Sequence, residues 1–317
     1  MDFSHTKIYL RRPLSSYSKV QYLGEALYRF IHPQVPFLRY GRAKNLYKKD
    51  GYLFCDYLSR HNQGLYSNAS TALEDIITLY RAGINVVRVD YSAGMGWFKD
   101  VNGKDVYEEF FKRPVPGVLN FPKRLTFDAY DVHKPYKQLP LRDLCRVASI
   151  FFSPSQAVIK LATDMAISSG VSPERSIAIV YRGTDKNTEI KLAPVGAYIK
   201  VANDILQTTA ADLEIIVQTD QEQARDTILA HFGQRCRFFK DLPVTRGSTV
   251  IHRLNFGAEI LMSREDFGKR IVAATSILSR CAYVITHTGN VGAWIAIYRG
   301  TASNFYQFDT TAQLQPP

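Results

Sequence analysis

The stretch SIAIVYRGTDK, residues 176–186, decides the fold of this chain. Its first part is a nearly continuous run of apolar and β-branched residues, which is typical of a strand buried on both faces of a parallel sheet. Polar residues and a glycine follow as soon as this run stops. In open α/β sheets ligands bind in the crevice at the carboxyl ends of the strands, so this segment predicts both a fold class and a site.

Alternating strands and helices surround this segment. Strands are predicted over 213–220, 235–239 and 282–288, and helices over 154–169, 194–208, from 221, over 267–279 and 291–298. The first of these helices takes Ser153 as its N-cap and ends at Gly170. Short links between alternating strands and helices indicate a parallel α/β domain with right-handed crossovers.

The first half of the chain holds one further unit of the same kind. A strand over 51–59, a polar loop over 61–68, a helix over 69–81 ended by Gly83 and a strand over 85–91 form a β-loop-α-β unit. Residues 1–50 show no clear period, and 112–140, with five prolines, predict irregular surface structure. Length favours two domains, which we place at 1–165 and 166–317.

The chain is basic, with 40 Lys and Arg against 29 Asp and Glu, a net charge of +11. The first sixty residues carry eleven Lys and Arg against four acids. Such a surface attracts nucleic acid, an acidic membrane, an anionic glycan or a diphosphate-bearing substrate, and it fits a solvated face without a cognate anion equally well. No zinc-finger spacing, basic zipper or RNA-binding aromatic pair occurs, so no nucleic-acid partner is expected.

The cysteine pattern and the first residues bear on cofactors and location. Cys55, Cys145, Cys236 and Cys281 are scattered without a C-x-x-C, which argues against a zinc site and a disulfide framework. No apolar leader and no run of eighteen apolar residues occurs, so we expect a cytoplasmic protein without a membrane span. We expect no cofactor and no metal.

Four segments at strand ends carry polar residues: 182–186, 218–220, 286–290 and the loop 61–68. The planar fork of Arg182 suits phosphate oxygens, although a surface loop with an Arg–Asp pair also fits. Asp220 fits a cap of the next helix at least as well as a ligand contact. Residues 288–290 begin a helix, whose backbone amides suit an anion, whereas His287 fits a satisfied polar residue equally well.

Several motifs are absent. Without G-x-x-x-x-G-K-[ST] or G-x-G-x-x-G, the interpretations as an ATPase and as an NAD enzyme lose their motifs. Without a D-x-D pair to hold a divalent ion, a departing diphosphate would be neutralised by Arg, Lys and helix N-termini.

The quoted segments also resemble a known family. IVYRGTDKNTE (179–189) resembles the V-H-V-R-R-T-D-K…T-E segment of the α1,6-fucosyltransferases, and VQTDQ (217–221) is similar to their A-T-D-D strand end. SILSRCAYVITHTGNVGAW (276–294) is similar to their F-L-S-x-A-D-F-L-V-C-T-F-S-S-Q-V stretch, and its G-A-W ending resembles α1,2-fucosyltransferases. NQGLYSN (62–68), with the helix and strand that follow, resembles the N-terminal glycine-containing loop of this superfamily.

This resemblance implies a GT-B architecture, in which two Rossmann-like doubly wound domains face a cleft. The acceptor domain would be 1–165 and the donor domain 166–317. It further implies inverting, metal-independent transfer from GDP-fucose or another GDP-sugar to a glycan. The basic first domain suggests an anionic or lipid-linked acceptor and peripheral membrane contact.

The resemblance also assigns roles to individual residues. Arg182 matches an arginine that contacts the donor diphosphate, Lys186 the lysine of T-D-K, and Glu189 a glutamate proposed as the base. The predicted catalytic residues are Arg182, Lys186, Glu189 and Asp90, with Glu189 or Asp90 as the acidic residue across the cleft that takes the acceptor proton. The predicted donor-binding residues are Gly64, Ser67, Asn68, Arg182, Gly183, Asp185, Asp220, His287, Thr288, Gly289 and Asn290.

The chain departs from the family pattern at four places. Gly183 replaces the second arginine of R-R, Val180 replaces a histidine, and Ala274 replaces the aspartate that reads guanine. The spacing from Lys186 to Glu189 is one residue short. These departures leave open a different sugar donor. The sequence also fits a basic nucleic-acid-binding protein, a sulfo- or phosphotransferase, and an inactive scaffold of the same fold.

Overall fold

The computed structural model describes residues 32–115, 117–118, 120, 122–184, 190–210, 212–247, 249–251 and 254–317. Three predicted site residues, Asp185, Lys186 and Glu189, lie outside these ranges. Residues Leu38–Pro317 form one compact unit that holds both sheets. Residues 32–37 belong to a separate N-terminal unit, in which the Val35 amide donates to the His32 carbonyl at 3.0 Å.

The first sheet contains three strands in the described part of the chain. They are β1 (Gly41–Lys49), β2 (Tyr52–Ser59) and β3 (Ile84–Asp90), in that spatial order. β1 pairs with β2 in antiparallel fashion, whereas β2 and β3 are parallel and are joined by helix α1 (Leu65–Arg81). The predicted β-loop-α-β unit is therefore confirmed.

Helix α1 begins at Leu65, four residues before its predicted start at 69. Leu65 and Tyr66 are buried and extend the apolar face of the helix by one turn. The next two residues of this turn, Ser67 and Asn68, are polar, so the sequence of the turn resembles that of a loop. The polar loop after β2 is thus reduced to residues 61–64.

Between the sheets, the described residues include the α-helices α2 (Tyr107–Phe110), α3 (Leu141–Phe151) and α4 (Gln156–Ser169). The N-cap of α4 is Ser155, whose hydroxyl accepts the Val158 amide at 3.3 Å, and not Ser153 as predicted. The C-cap is the predicted Gly170, in the left-handed conformation. Residues 165 and 166 lie inside α4, and the division of the chain into acceptor and donor domains stays a prediction.

The second sheet contains six described strands. In spatial order they are β6 (Cys236–Phe238), β5 (Glu214–Thr219), β4 (Ser176–Tyr181), β7 (Tyr283–His287), β8 (Phe305–Phe308) and β9 (Leu314–Gln315). The first five are parallel to one another, and β9 runs antiparallel to β8. Every residue of β4 is buried, as its apolar sequence predicts for a strand inside a parallel sheet.

In the described residues, the parallel strands of this sheet are connected by the α-helices α5 (Val195–Thr208), α6 (Glu222–Phe232), α7 (Arg264–Leu278) and α8 (Asn290–Arg299). Each follows a strand and precedes the next one in the chain, so the predicted α/β pattern is confirmed here. Across the described residues, no helix is long and apolar enough to cross a bilayer.

A buried hydroxyl joins the first sheet's helix to the second sheet. The indole nitrogen of Trp294, on α8, donates to Ser70 Oγ of α1 at 2.9 Å, and Ser70 Oγ donates to Asn290 Oδ1 at 3.0 Å. Tyr66 stacks on the Trp294 ring with centroids 5.4 Å apart. Because Asn290 is the first residue of α8, these contacts hold the N-terminal half of α1 against the start of α8.

Asp75 is a buried carboxylate that fastens α1 to its neighbours. It accepts the backbone amides of Arg39 and Tyr40, both at 3.0 Å, and the hydroxyl of Tyr57 at 2.9 Å. Burial raises the pKa of Asp75 from 3.8 to about 6, and the three donated hydrogen bonds oppose this shift.

The raised pKa of Asp75 predicts a pH-dependent contribution to stability. The folded state binds this proton more tightly than the unfolded state, so the contribution is fully present below pH 3.8 and is lost as pH rises through about 6. Between pH 7.5 and pH 5, the free energy of unfolding should rise by about 1–2 kcal/mol relative to an Asp75→Asn variant. Urea denaturation of both proteins at the two pH values measures this difference.

A second variant tests the same assignment without removing the carboxyl group. Tyr57→Phe deletes a hydrogen bond that lowers the pKa of Asp75, so the gain in stability on acidification should become larger. Equal pH dependence in all three proteins would contradict the assignment.

Candidate functional site

Three of the four predicted strand-end segments meet at one edge of the second sheet. β4 ends at Tyr181, its neighbour β5 at Thr219 and its other neighbour β7 at His287. Because all three strands are parallel, residues that follow them lie at the same carboxyl edge. The structure therefore brings together the segments that begin at Arg182, Asp220 and Thr288.

The buried carboxylate of Asp220 organises the loop after β4. Its Oδ1 accepts the Gly183 amide at 2.8 Å, and its Oδ2 accepts the Thr184 hydroxyl at 2.7 Å and Arg182 Nε at 3.4 Å. The N-cap of the next helix is Gln221, without a side-chain cap. The alternative in which Asp220 caps this helix is therefore wrong, and its carboxylate positions the arginine loop instead.

Arg182 occupies the centre of this edge, because β4 lies between β5 and β7. The relative solvent exposure of its side chain is 27%, whereas that of the Asp220 side chain is 8%. A charged contact to the Nε atom fixes the direction of a planar guanidinium. The cation is thus held in place at the edge of the sheet where ligands of parallel α/β proteins bind.

Gly183 is closely packed against the side chains of Gln221 and Tyr181. A Cβ atom at this position would lie 2.4 Å from Gln221 Oε1 and 2.7 Å from Cε1 of Tyr181. Hence the side chain that the family pattern places here, an arginine, has no room unless the loop or Gln221 moves. The replacement of the family's arginine by Gly183 is therefore explained by the packing of this loop against Gln221, the N-cap of α6.

The loop after β7 is fastened to the protein on several sides. The Thr288 amide and hydroxyl donate to the Phe308 carbonyl at 2.8 and 3.1 Å, and the hydroxyl accepts Gln307 Nε2 at 2.8 Å. Gly289, at φ 153° and ψ 173°, adopts a conformation that is essentially restricted to glycine. The Asn290 side chain accepts from Ser70, as described above.

Tyr136 is the partner of this loop that the sequence did not indicate. Its hydroxyl accepts the Gly289 amide at 3.0 Å and donates to the Gly289 carbonyl at 2.9 Å. Burial raises its pKa, so the hydroxyl stays protonated. Tyr136 follows a proline-rich segment that shows no helical or strand period. The side chain of Gln307 accepts the Tyr136 amide at 2.8 Å, and Gln307 lies in a strand that the sequence did not predict.

These bonds bear on the anion site predicted at the start of α8. The amides of Thr288 and Gly289 already have protein acceptors, so a phosphate could take the Gly289 amide only after Tyr136 moves. His287 is buried at the end of β7, and its carbonyl accepts the Thr286 hydroxyl at 3.3 Å. Contacts of residues 287–290 with a donor stay predictions.

The loop after β2, at the carboxyl edge of the first sheet, contains the remaining predicted donor-binding residues. The buried Asn68 donates from its amide to the carbonyls of Gln63 and Gly64, at 2.8 and 3.0 Å. The Ser67 hydroxyl donates to Gln63 Oε1 at 3.3 Å and lies 3.1 Å from His61 Nε2. Asn68 therefore shapes the loop from within, whereas Ser67 contacts a half-buried histidine.

Asp90 ends the neighbouring strand β3. Its Oδ1 accepts the Ser92 amide at 2.7 Å, which fixes the turn that follows the strand. The turn is further held by the buried Lys99, whose ammonium donates to the Ser92 carbonyl at 2.8 Å. Burial lowers the pKa of Lys99. Within the described ranges, no three His, Cys, Asp or Glu side chains group together as a metal site.

A twisted parallel sheet with an arginine loop at its carboxyl edge defines an α/β protein of Rossmann-like type. Among solved structures, NodZ α1,6-fucosyltransferase soaked with GDP-fucose is similar, with a TM-score of 0.50 and 13% identity over 81% of this chain and 97% of that chain. The NodZ structure co-crystallized with GDP has a TM-score of 0.49 and 13% identity, and NodZ from Bradyrhizobium has 0.46 and 14%. Both cover 81% of this chain and 96% of theirs.

Sequence comparisons give no such relative: no family model and no curated protein matches the chain. The structural likeness at 13% identity shows a shared fold. It confirms the predicted α/β class and, at the level of the fold, the resemblance to the α1,6-fucosyltransferases.

The tight packing at Gly183 gives a testable prediction. Gly183→Ala should displace the arginine loop and lower the thermal unfolding temperature, since its Cβ would lie 2.7 Å from the buried Tyr181 ring as well as 2.4 Å from Gln221 Oε1. Gly196→Ala, in the first turn of α5, is a matched control, because nothing lies within 4 Å of the added Cβ and alanine favours helix by about 0.5–1 kcal/mol. Differential scanning calorimetry of both variants checks the expected opposite signs; a Gly183→Ala protein as stable as Gly196→Ala would contradict the packing argument.

Proposed function

We propose that this chain is a metal-independent, inverting glycosyltransferase that uses GDP-fucose or another GDP-sugar to modify a glycan. The observation that carries the proposal is Arg182, a partly exposed cation held by Asp220 at the centre of the sheet's carboxyl edge. The fold shared with a fucosyltransferase that was soaked with GDP-fucose supports the same substrate class.

The chemistry follows from charge at the leaving group. In a direct displacement, the acceptor oxygen attacks the anomeric carbon while the bond to the nucleoside diphosphate breaks, so negative charge grows on the diphosphate. A guanidinium fixed in advance stabilises this charge more in the transition state than in the ground state. Arg182 supplies that cation, Lys186 is proposed as the second, and Asp220 keeps Arg182 directed at the crevice.

The acceptor side is assigned to the first sheet. The predicted bases are Glu189, which lies outside the described residues, and Asp90, whose carboxylate accepts the Ser92 amide. Exposed lysines of β1, Lys48 and Lys49, suit an anionic or lipid-linked acceptor and peripheral contact with a membrane on the cytoplasmic side.

Replacing Arg182 tests the diphosphate contact. Arg182→Ala should weaken GDP binding by about 1.5–3 kcal/mol, because a charged hydrogen-bonding partner is lost, and should lower transfer about 10²- to 10³-fold. Arg175→Ala is the matched control, since Arg175 precedes the same strand at its opposite end and pairs loosely with Asp212 at 4.0 Å. Isothermal titration calorimetry with GDP measures the binding affinity of both variants. Unchanged GDP binding by the Arg182→Ala protein would overturn the proposal.

The base of the nucleotide is a separate question. Ala274 and Val180, which replace the aspartate and the histidine of the family pattern, are both buried, so guanine recognition would need other residues. We expect GDP to raise the unfolding temperature more than UDP, ADP or dTDP does, because binding to the folded state stabilises it in proportion to affinity. A thermal-shift panel of the four diphosphates decides this, and a larger shift with another base would assign a different donor.

A further inference from the structure

We propose that His61 is the residue that accepts the proton of the attacking acceptor hydroxyl. This inference rests on the proposed glycosyl transfer and replaces Glu189 and Asp90 as the base. It is carried by three features of the described residues: the place of His61 at the carboxyl edge of the first sheet, its contact with Ser67, and the contacts that link α1 to the donor side.

His61 follows β2 directly and belongs to the loop that leads into α1. Hydrogen bonds hold this loop on two sides: Asn68 binds the carbonyls of Gln63 and Gly64, and the Met95 amide donates to the His61 carbonyl at 3.3 Å. The imidazole packs edge-on against the ring of Tyr40, with centroids 5.5 Å apart. A side chain held in this way is oriented before any substrate binds.

Helix α1 connects His61 with the donor side. Ser67, which contacts His61 Nε2, lies three residues before Ser70 on α1, and side chains at this spacing are neighbours about 5–6 Å apart. Ser70 in turn donates to Asn290 at 3.0 Å, and Asn290 begins the helix after β7, the strand beside that of Arg182. Contacts along one face of α1 thus link the loop of His61 to Asn290, at the carboxyl edge of the second sheet.

The hydrogen bonds around Ser67 bear on the tautomer of His61. When the Ser67 hydroxyl donates its single proton to Gln63 Oε1 at 3.3 Å, the same oxygen accepts from His61 Nε2, which lies 3.1 Å away. Nε2 then carries the hydrogen of the neutral ring, and Nδ1 keeps its lone pair. A neutral imidazole with one nitrogen fixed as a donor and the other as an acceptor is the form that a general base requires.

The surroundings of His61 favour this neutral form. Burial lowers its pKa from 6.5, and the hydrogen bond with Gln63 opposes the shift. Arg60, the charged residue next to His61 in the chain, donates to the Gly41 carbonyl at 3.2 Å, and the ring of Tyr40 packs against the imidazole. Asp90 is engaged by the Ser92 amide and Lys99 by the Ser92 carbonyl, so each of these two charges is held in the turn after β3.

The step balances without a further reactant. The acceptor O–H transfers its proton to His61 Nδ1 as its oxygen forms a bond to the anomeric carbon. The bond from that carbon to the diphosphate oxygen breaks, and its electron pair leaves with the nucleoside diphosphate. The imidazolium then returns its proton to water, which restores the neutral ring for the next turnover.

The experiment compares His61→Asn with Glu189→Gln, and with His231→Gln as a control on the exposed surface of α6. The full chain is given GDP-fucose with water as acceptor, and release of GDP is followed from pH 5 to 9. His61→Asn should bind GDP as the unchanged protein does, lower the rate about 10²-fold or more, and remove the acidic limb of the profile. His231→Gln should leave rate and profile unchanged.

Two outcomes would overturn the inference. One is a His61→Asn protein that keeps the acidic limb while Glu189→Gln loses it. The other comes from a direct measurement of the tautomer by long-range ¹H–¹⁵N correlation spectra. We expect these spectra to show His61 as the Nε2–H tautomer, and we expect Ser67→Ala to weaken this preference. A ring protonated at Nδ1 in the neutral form would exclude the proposed role.

Failure of the proposed function would look different. If the chain were not a glycosyltransferase, GDP would not bind and no protein in the series would release GDP, yet the tautomer measurement would still report on His61. If only the assignment of His61 were wrong, GDP would bind to the unchanged protein, Arg182→Ala would lower turnover about 10²- to 10³-fold, and His61→Asn would leave turnover unchanged.

Discussion

The hydroxyl of Ser70 is the point on which the arrangement of the two sheets depends. It accepts from Trp294 and donates to Asn290, so both of its hydrogen-bonding directions are used between α1 and α8. Ser70 and Trp294 are both fully buried, where an unpaired donor or acceptor would be costly. A helix that starts at one sheet's carboxyl edge is thereby fixed against a helix that starts at the edge of the other.

The same principle applies at Asp220, where one carboxylate binds three groups of the arginine loop. Buried polar groups of this kind are satisfied within the protein and leave little freedom to the loops they hold. The edge of the second sheet is consequently an ordered surface. Arg182 is its partly exposed cation, whereas Thr288 and Gly289 are already bound to Phe308 and Tyr136. By sequence position, Arg182, Thr288 and Gly289 are equally good candidates for binding the donor, and the structure distinguishes Arg182 from the other two.

Much of the fold could be predicted from the sequence. Apolar runs indicated β4, β5 and β7, and the helices of the second sheet followed from their spacing. Other elements were missed because their signals are weak: β1 is rich in charge, β8 and β9 are short, and α3 follows a segment dense in proline. The early start of α1 was missed because Ser67 and Asn68, polar residues with loop-like character, bond inward to the preceding loop.

The site was predicted only in outline for a related reason. The strand-end rule located Arg182 and Asp220, but a hydrogen bond between residues 38 apart, as in Asp220 and Arg182, cannot be read from a single sequence. Tyr136 and Gln307 were missed altogether because their roles exist only through packing. The steric reason for Gly183 likewise depends on Gln221, which approaches from another strand end.

The outer strand β1 has a consequence of its own for the behaviour of the chain in solution. In the described part of the first sheet it is an edge, and its backbone offers a template for strands of other molecules. The irregular register between Lys44 and Tyr47, the left-handed conformation of Asn45 and the exposed lysines all hinder such pairing. The basic charge that suggests an anionic partner therefore also disfavours the pairing of β1 with strands of other molecules.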